Sequence, residues 1–407
     1  MSAVTRETII QAAHDEVGGG LSGPLLVLLA AGAGLSAATL YVAQPMLSQL
    51  ARSFGVSDAA IGAVPTLTQV GYALGIFFFA PLGDRVDRRR LIVLKAGLLT
   101  AALLLCGLSQ TPGVFWGASL AVGLTATMAQ DIVPAAAALA PPASRGRAVG
   151  AVMTGLLTGI LLSRVVSGGV ASLLGWRAVY LGAAGCVALV GAVAAKRLPR
   201  FVPDSRLGYG ALVGSLLGLW RAHPGLRRAA TAQALLSMAF SGFWSTLAVM
   251  LYRDFGLGSA TAGAFGLAGA AGALAAPLAG RLADRRGPGL VTRLGAALAA
   301  LCFALLFFDG GLSRGGRLAL LGVSTVGFDF GIQASLVAHQ TLVYSLDPAA
   351  RSRLNALLVS AMFLGMASGG AAATAALARY GWRGVVAFAV LTASASLAVR
   401  LATPDAG

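Results

Sequence analysis

Three charged side chains stand inside long apolar runs and are the groups best placed to do chemistry: Asp131, Arg164 and Asp329. A charge at membrane depth costs several kcal/mol and persists mainly where it lines a pathway or finds a partner. Asp329 is followed by Gln333 and Gln340 at plus 4 and plus 11, which sets all three on one helical face. Arg164 cannot lose its charge. Asp131 has Thr127 one turn before it. Weaker polar groups are Tyr41 with Gln44, Thr66 with Gln69, and Gln233 with Ser237 and Trp244, which alone are more often interhelical hydrogen bonds than ligand contacts. His339 lies off the Asp329 face and reads as an exposed or packed histidine. The chemistry these residues suit is proton carriage, because desolvation favours the neutral form of a carboxyl and lets it exchange a proton.

The elements that must position them are membrane helices. Of 407 residues, 57% are hydrophobic and only 11% charged, with mean hydropathy +0.82, whereas roughly a quarter are charged in an ordinary soluble domain. Apolar runs long enough to cross a ~30 Å hydrocarbon core recur along the chain. Their limits are near 24–46, 58–82, 91–110, 114–139, 148–172, 177–195, 229–251, 260–283, 289–308, 318–343, 354–377 and 384–402, giving twelve spans. Outer-membrane barrels are excluded, since their strands are about 10 residues of alternating polarity. The net charge of +16 does not indicate nucleic acid, because the basic residues sit between the apolar runs. Cys106, Cys186 and Cys302 fall inside spans with no Cys or His at ligand spacing, so they read as core residues, and no metal or cofactor is expected.

An even number of spans puts both termini on one side of the membrane. The first segment, the even-to-odd loops and Arg400 hold 22 Lys and Arg, Lys95 and Lys196 among them; the opposite loops hold seven, and Arg164 is the last of the 30. The excess places both termini in the cytosol. At ~1.5 Å per residue Asp329 then stands roughly 21 Å up from the cytosolic end of span ten, Arg164 roughly 24 Å up span five and Asp131 roughly 13 Å up span four. Height favours pairing Arg164 with Asp329.

The chain repeats itself. Leu50, Arg52, Phe54, Gly55, Ala59 and Gly62 recur as Leu251, Arg253, Phe255, Gly256, Ala260 and Gly263 at an offset of 201, and Gly175, Trp176 and Arg177 recur as Gly381, Trp382 and Arg383 at 206. Asp84 and Arg85 recur as Asp284 and Arg285, and Arg145 and Arg147 as Arg351 and Arg353. A duplicated six-helix unit follows, its copies in the same orientation. The expected organisation is a cytosolic segment 1–23, read as a short helix on a flexible leash, a bundle 24–197, a linker 198–228, a second bundle 229–402 and a tail 403–407.

Gly280, Leu282, Ala283, Asp284, Arg285 and Gly287 spell G-x-L-A-D-R-x-G, and a degraded copy keeps Asp84, Arg85, Arg88 and Arg89 but has Ala80 and Asp87 at its glycine positions. In these motifs the sequence resembles the major facilitator superfamily of secondary transporters, from about residue 24 to 402. The resemblance implies an all-α membrane fold of two pseudo-symmetric six-helix bundles, with spans one, four, seven and ten lining a central cavity that would contain Gln44, Asp131, Gln233 and Asp329. It also implies that Asp84 meets the start of span eleven near Arg351 and Arg353, and Asp284 the start of span five near Arg145 and Arg147, holding the outward-facing state. Span five partly fits the antiporter branch's motif: Gly150, Gly159 and Gly168 match, while Ser163 and Ser167 replace glycines and Arg164 replaces the proline. Close helix packing explains the glycines equally well.

The expected function is secondary transport of a small organic solute through the bacterial inner membrane, as drug or sugar-like metabolite efflux in exchange for protons, by a monomer. Uniport and proton symport are the alternatives within the class. A receptor without flux is a rival of another class. An enzyme finds little support: the two glutamates, Glu7 and Glu16, lie in the first 16 residues, and Lys95 and Lys196 are followed by Ala and Arg, so there is no Walker A sequence.

Overall fold

Six-residue echoes at a fixed offset require equal geometry, and the backbone delivers it. In the computed structural model, which describes residues 22–141, 144–202, 208–347 and 350–402, Gly55 and Gly256 both adopt left-handed φ, 64° and 63°. Each ends a helix with an equivalent capping bond: Gly55 N donates to Ala51 O, and Gly256 N to Tyr252 O. Glycine takes this conformation without the cost a Cβ would add. The residues 1–21 expected as a cytosolic helix, and the tail 403–407, lie outside the described residues.

Among the described residues nine helices are long and apolar enough to cross a membrane. One of them, Arg351–Leu401, is two spans in tandem, broken at Gly381 where φ is 64°. Span one adds the shorter helix Gly23–Ala38, and span eight is split into Ser259–Ala264, a 3-10 turn Phe265–Gly269 and Ala270–Arg286, which completes the twelve. Spans five, six, seven and ten are the continuous helices Arg145–Leu174, Trp176–Arg197, Pro224–Phe255 and Arg314–Leu346. Span one is also broken: after Ala38 come turns, a 3-10 segment Gln44–Met46 and a helix Leu47–Phe54. Within the expected linker, Tyr209–Ala222 forms a helix of its own. Leu98, Leu173, Leu189, Leu301, Val323 and Leu391 are exposed, the outward apolar girdle that only lipid can cover. Cys186 is exposed as well, which corrects the reading of all three cysteines as core; Cys106 and Cys302 are buried.

Small residues set the packing. Without a strong hydrophobic drive between helices in lipid, close backbone approach supplies the attraction. A Cβ on Gly159 would come within 2.2 Å of Gly34 O, locking span five to span one, and one on Gly123 within 2.0 Å of Thr68 O, locking span four to span two. The first has its repeat counterpart in Gly365 against Ala234 O at 2.3 Å, for spans eleven and seven; in the second half Gly295 and Gly331 bring spans nine and ten together. The two halves meet along two seams. Gly168 of span five lies on Gly263 of span eight, and Gly62 of span two lies under Thr374 of span eleven. These four positions exchange at the repeat offsets of 201 and 206.

Replacing Gly123 by Ala must push spans two and four apart and is expected to cost about 1–3 kcal/mol. The check is thermal unfolding of purified protein, with Gly97→Ala, which has nothing within 4 Å of a new Cβ, as the neutral control.

Candidate functional site

Arg164 is the centre of the interior. It is 2% exposed, and its Nε donates to Gln44 Oε1 at 2.8 Å. The guanidinium lies 4.2 Å from the ring of Trp244, 4.8 Å from that of Tyr41 and 5.7 Å from that of Phe240. Cation–π attraction strengthens where the cation is desolvated, so three rings and one amide replace much of the hydration that burial removes. The local folds serve this contact. The break in span one turns Tyr41 and Gln44 toward Arg164, and irregular backbone at this depth is tolerated because protein, not lipid, surrounds it. The 3-10 turn of span eight lets Gly266 pass so close that a Cβ there would meet Arg164 Cβ at 2.8 Å.

Asp329 is 4% exposed and lies against Gly269, where a Cβ would meet its Oδ2 at 3.3 Å. The paired-charge expectation is corrected here: among the described residues no direct ion pair joins Arg164 to Asp329, although each feels the other's charge. Arg164 Nε is aimed at Gln44 instead. Asp329 Oδ1 has no hydrogen-bond partner, and Trp244 Nε1 lies beside the carboxylate without hydrogen-bond geometry.

Asp131 is not a cavity residue of this kind. Lys95 Nζ binds its Oδ2 at 2.6 Å, with both side chains nearly fully buried. Lys95 had been counted with the cytosolic loops; it stands about two turns inside Arg88–Leu108, and a lysine seven positions past the helix start is a legible signal that sequence reasoning missed. A Cβ on Gly83 would meet Asp131 Oδ1 at 3.2 Å, so this buried pair sits against the first-half loop motif.

The remaining expected residues are scattered. Gln69 accepts from Ser241 at 3.1 Å across the two halves. Gln233 binds His339 Nδ1 at 2.9 Å, and His339 is fully buried, so Gln233 packs within the second half. Gln340 donates to Asn355 at 3.3 Å, and Gln333 is half-buried. In the loop motifs, Asp87 explains the departure from glycine: its Oδ1 accepts from Arg89 N and Phe201 N, both at 3.0 Å, and caps span three. Gly287 at the equivalent turn has φ 83°. Gly280 is half-buried, as is Arg88, and Arg85 and Arg285 are exposed. The side chain of Asp84 lies outside the described residues. Asp284, Arg145 and Arg147 are exposed and form no ion pair with one another among the described residues; Arg351 binds Tyr344 O at 3.2 Å and Arg353 binds Ser215 Oγ at 3.0 Å.

Among the described residues, twelve spans in two repeated bundles, meeting around buried charges, define a transporter of the membrane interior. The sequence profile of the Major Facilitator Superfamily matches residues 29–346, and the chain belongs to that family. It is 36% identical over 366 residues to the uncharacterized transporter YgaY of Escherichia coli O157:H7, covering 90% of this chain and 92% of that one. It is 38% identical over 371 residues to the probable transporter SCO4007 of Streptomyces coelicolor, covering 90% and 84%. The fold matches the crystal structure of a bacterial homologue of the human lysosomal transporter Spinster, in an inward-facing and occupied conformation, with TM-score 0.74 at 18% identity over 93% of this chain and 96% of that one. The protein is a multi-pass membrane transporter and not an enzyme.

Breaking the buried pair by Asp131→Asn leaves Lys95 charged and alone, and should cost about 3–5 kcal/mol, whereas Asp131→Asn with Lys95→Met should recover most of it. A thermal melt of the three proteins decides; equal melting of the single variant and wild type contradicts the pair's structural role.

Proposed function

We propose that the chain is a proton-coupled secondary transporter of a small organic solute, with both termini in the cytosol of a bacterial cell and Asp329 as the residue that carries the proton. The observation behind this is a nearly fully buried carboxylate with an unpartnered oxygen, held beside a permanent cation where the two halves meet. Such a group is stable in the interior only by exchanging its proton or by finding an opposite charge.

The contacts support a state closed to the periplasm. In the orientation given by the positive loops, the seam Gly168–Gly263 stands in the periplasmic half. Beyond it Arg52 covers the ring of Tyr252 at 4.3 Å, and Arg253 binds Asp58 at 2.5 Å, repeat-mates reaching in opposite directions across the halves. At the cytosolic ends Asp284 is exposed and apart from Arg145 and Arg147, as expected if the loop motifs lock only the outward-facing state. Rocking of the halves then opens one side at a time.

Exchange of solute for protons, with efflux of a drug-like or sugar-like compound, is the direction taken from the antiporter resemblance of span five. Co-transport is the second reading. It is favoured by the helix Arg145–Leu174, which runs 30 residues without a break and carries Arg164 where the antiporter pattern has proline.

The test is flux in proteoliposomes with an imposed pH gradient. Asp329→Asn should abolish uphill, pH-driven movement and spare downhill exchange; a variant that still concentrates solute like wild type places coupling elsewhere. The sign of the gradient that drives accumulation separates exchange from co-transport. Asp84→Asn, which removes a motif charge and keeps its shape, should raise the reactivity of cytosolic cysteines placed between the halves, and unchanged reactivity with normal transport contradicts the lock.

A further inference from the structure

Donors without acceptors gather at one point. Arg164 Nη2 and Gln44 Nε2 are each buried and without a hydrogen-bond partner, and both residues line one small cleft, together with Pro45, Trp244, Leu247 and Ala248. Leaving a buried donor unpaired costs about 1–3 kcal/mol, and more when it is charged. Two at one place, one of them charged, is not the pattern of a core folded for stability alone, in which such groups find partners.

The geometry narrows what would satisfy them. Aromatic rings lie against the guanidinium and Gln44 Oε1 takes its Nε, which leaves the Nη edge as the open side. Two donor edges, an arginine and an amide, face an otherwise apolar wall. A carboxylate fills that arrangement: its oxygens accept from the guanidinium edge and from the amide, and its charge balances the arginine. A neutral solute supplies no charge, and a cation would be repelled by Arg164.

We propose that this cleft, between the broken span one and spans five and seven, is an anion subsite that takes the carboxylate of a small organic acid with an apolar body. The inference rests on the reading of this layer as the transport site, and it names the substrate class. When Asp329 carries its proton, Arg164 has lost the nearby countercharge, and the anion supplies it. The cleft is closed tight around the side chains, so the carboxylate enters as the halves part and is enclosed as Gly168 returns to Gly263.

Equilibrium binding of radiolabelled benzoate to the full chain in lipid nanodiscs tests this, with benzamide and benzylamine as competitors of similar shape but zero or positive charge. Benzoate should bind, and both competitors should be at least about tenfold weaker. Arg164→Gln should weaken benzoate about 10- to 100-fold, the range that one lost buried charge-assisted hydrogen bond corresponds to, and Arg164→Lys should restore part of it. Gln44→Glu conserves shape and places a fixed carboxylate on Arg164; it should weaken benzoate comparably and keeps the test decisive if Arg164→Gln does not fold. Absence of benzoate binding, displacement by benzamide or benzylamine as effective as by benzoate itself, or wild-type affinity in both Arg164→Gln and Gln44→Glu overturns the proposal. The transport reading fails separately. If neutral or cationic solutes move with a pH gradient while benzoate does not bind, the transporter stands and the anion class falls; if benzoate binds through Arg164 but no solute is moved, the subsite stands and transport falls.

Discussion

A permanent charge in a dry interior is the constraint around which this molecule is arranged. Arg164 cannot neutralise itself, so the surroundings must. Span one gives up regular helix between Ala38 and Leu47 to bring an amide and a ring to it. Span eight gives up an α-helical turn and the side chain at Gly266 to pass over it. Span seven contributes Phe240 and Trp244. These three elements come from both halves, so the charge is also what the halves share. An element that moves relative to Arg164 must take its compensation away, and this makes the contact layer two-state rather than gradually deformable.

Duplication supplies the frame, and divergence supplies the chemistry. The seams Gly168–Gly263 and Gly62–Thr374 are related by the repeat, as are the latches at Arg52 and Arg253. The buried polar groups are not. The first half keeps a Lys95–Asp131 pair under its loop motif. The second half instead links Arg400 to Thr292 at 3.0 Å and packs His339 onto Gln233 nearby.

Much of the fold was legible because its signals are redundant. Run lengths, positive loops and the 201-residue echo all lead to twelve spans, and the paired glycines at 55 and 256 show why the echo was kept: each is a helix end that only glycine closes without strain. The candidate site was legible in its members and not in its pairings. Arg164, Asp329, Gln44, Tyr41 and Trp244 were all singled out by type and depth, yet Arg164 was matched with Asp329, because height is readable from residue count and helix rotation across two bundles is not. Lys95 was assigned to a loop by the same one-dimensional counting, so Asp131, which the resemblance set in the cavity, was read without its partner. Phe240 carried no signal at all, since a phenylalanine in an apolar run is unremarkable until the guanidinium beside it is seen.

The central claim is that the Arg164 layer is the barrier that opens to each side in turn. Ala262 is 3% exposed on the Gly263 seam and lines the Arg164 cleft, so its accessibility reports that layer. With Cys106, Cys186 and Cys302 replaced by serine, the reactivity of Ala262→Cys toward a membrane-impermeant maleimide added from the periplasmic side is the direct measurement. It should be protected at rest and become reactive when an imposed proton gradient drives the opposite state; reactivity that is the same under both conditions contradicts an alternating barrier at Arg164.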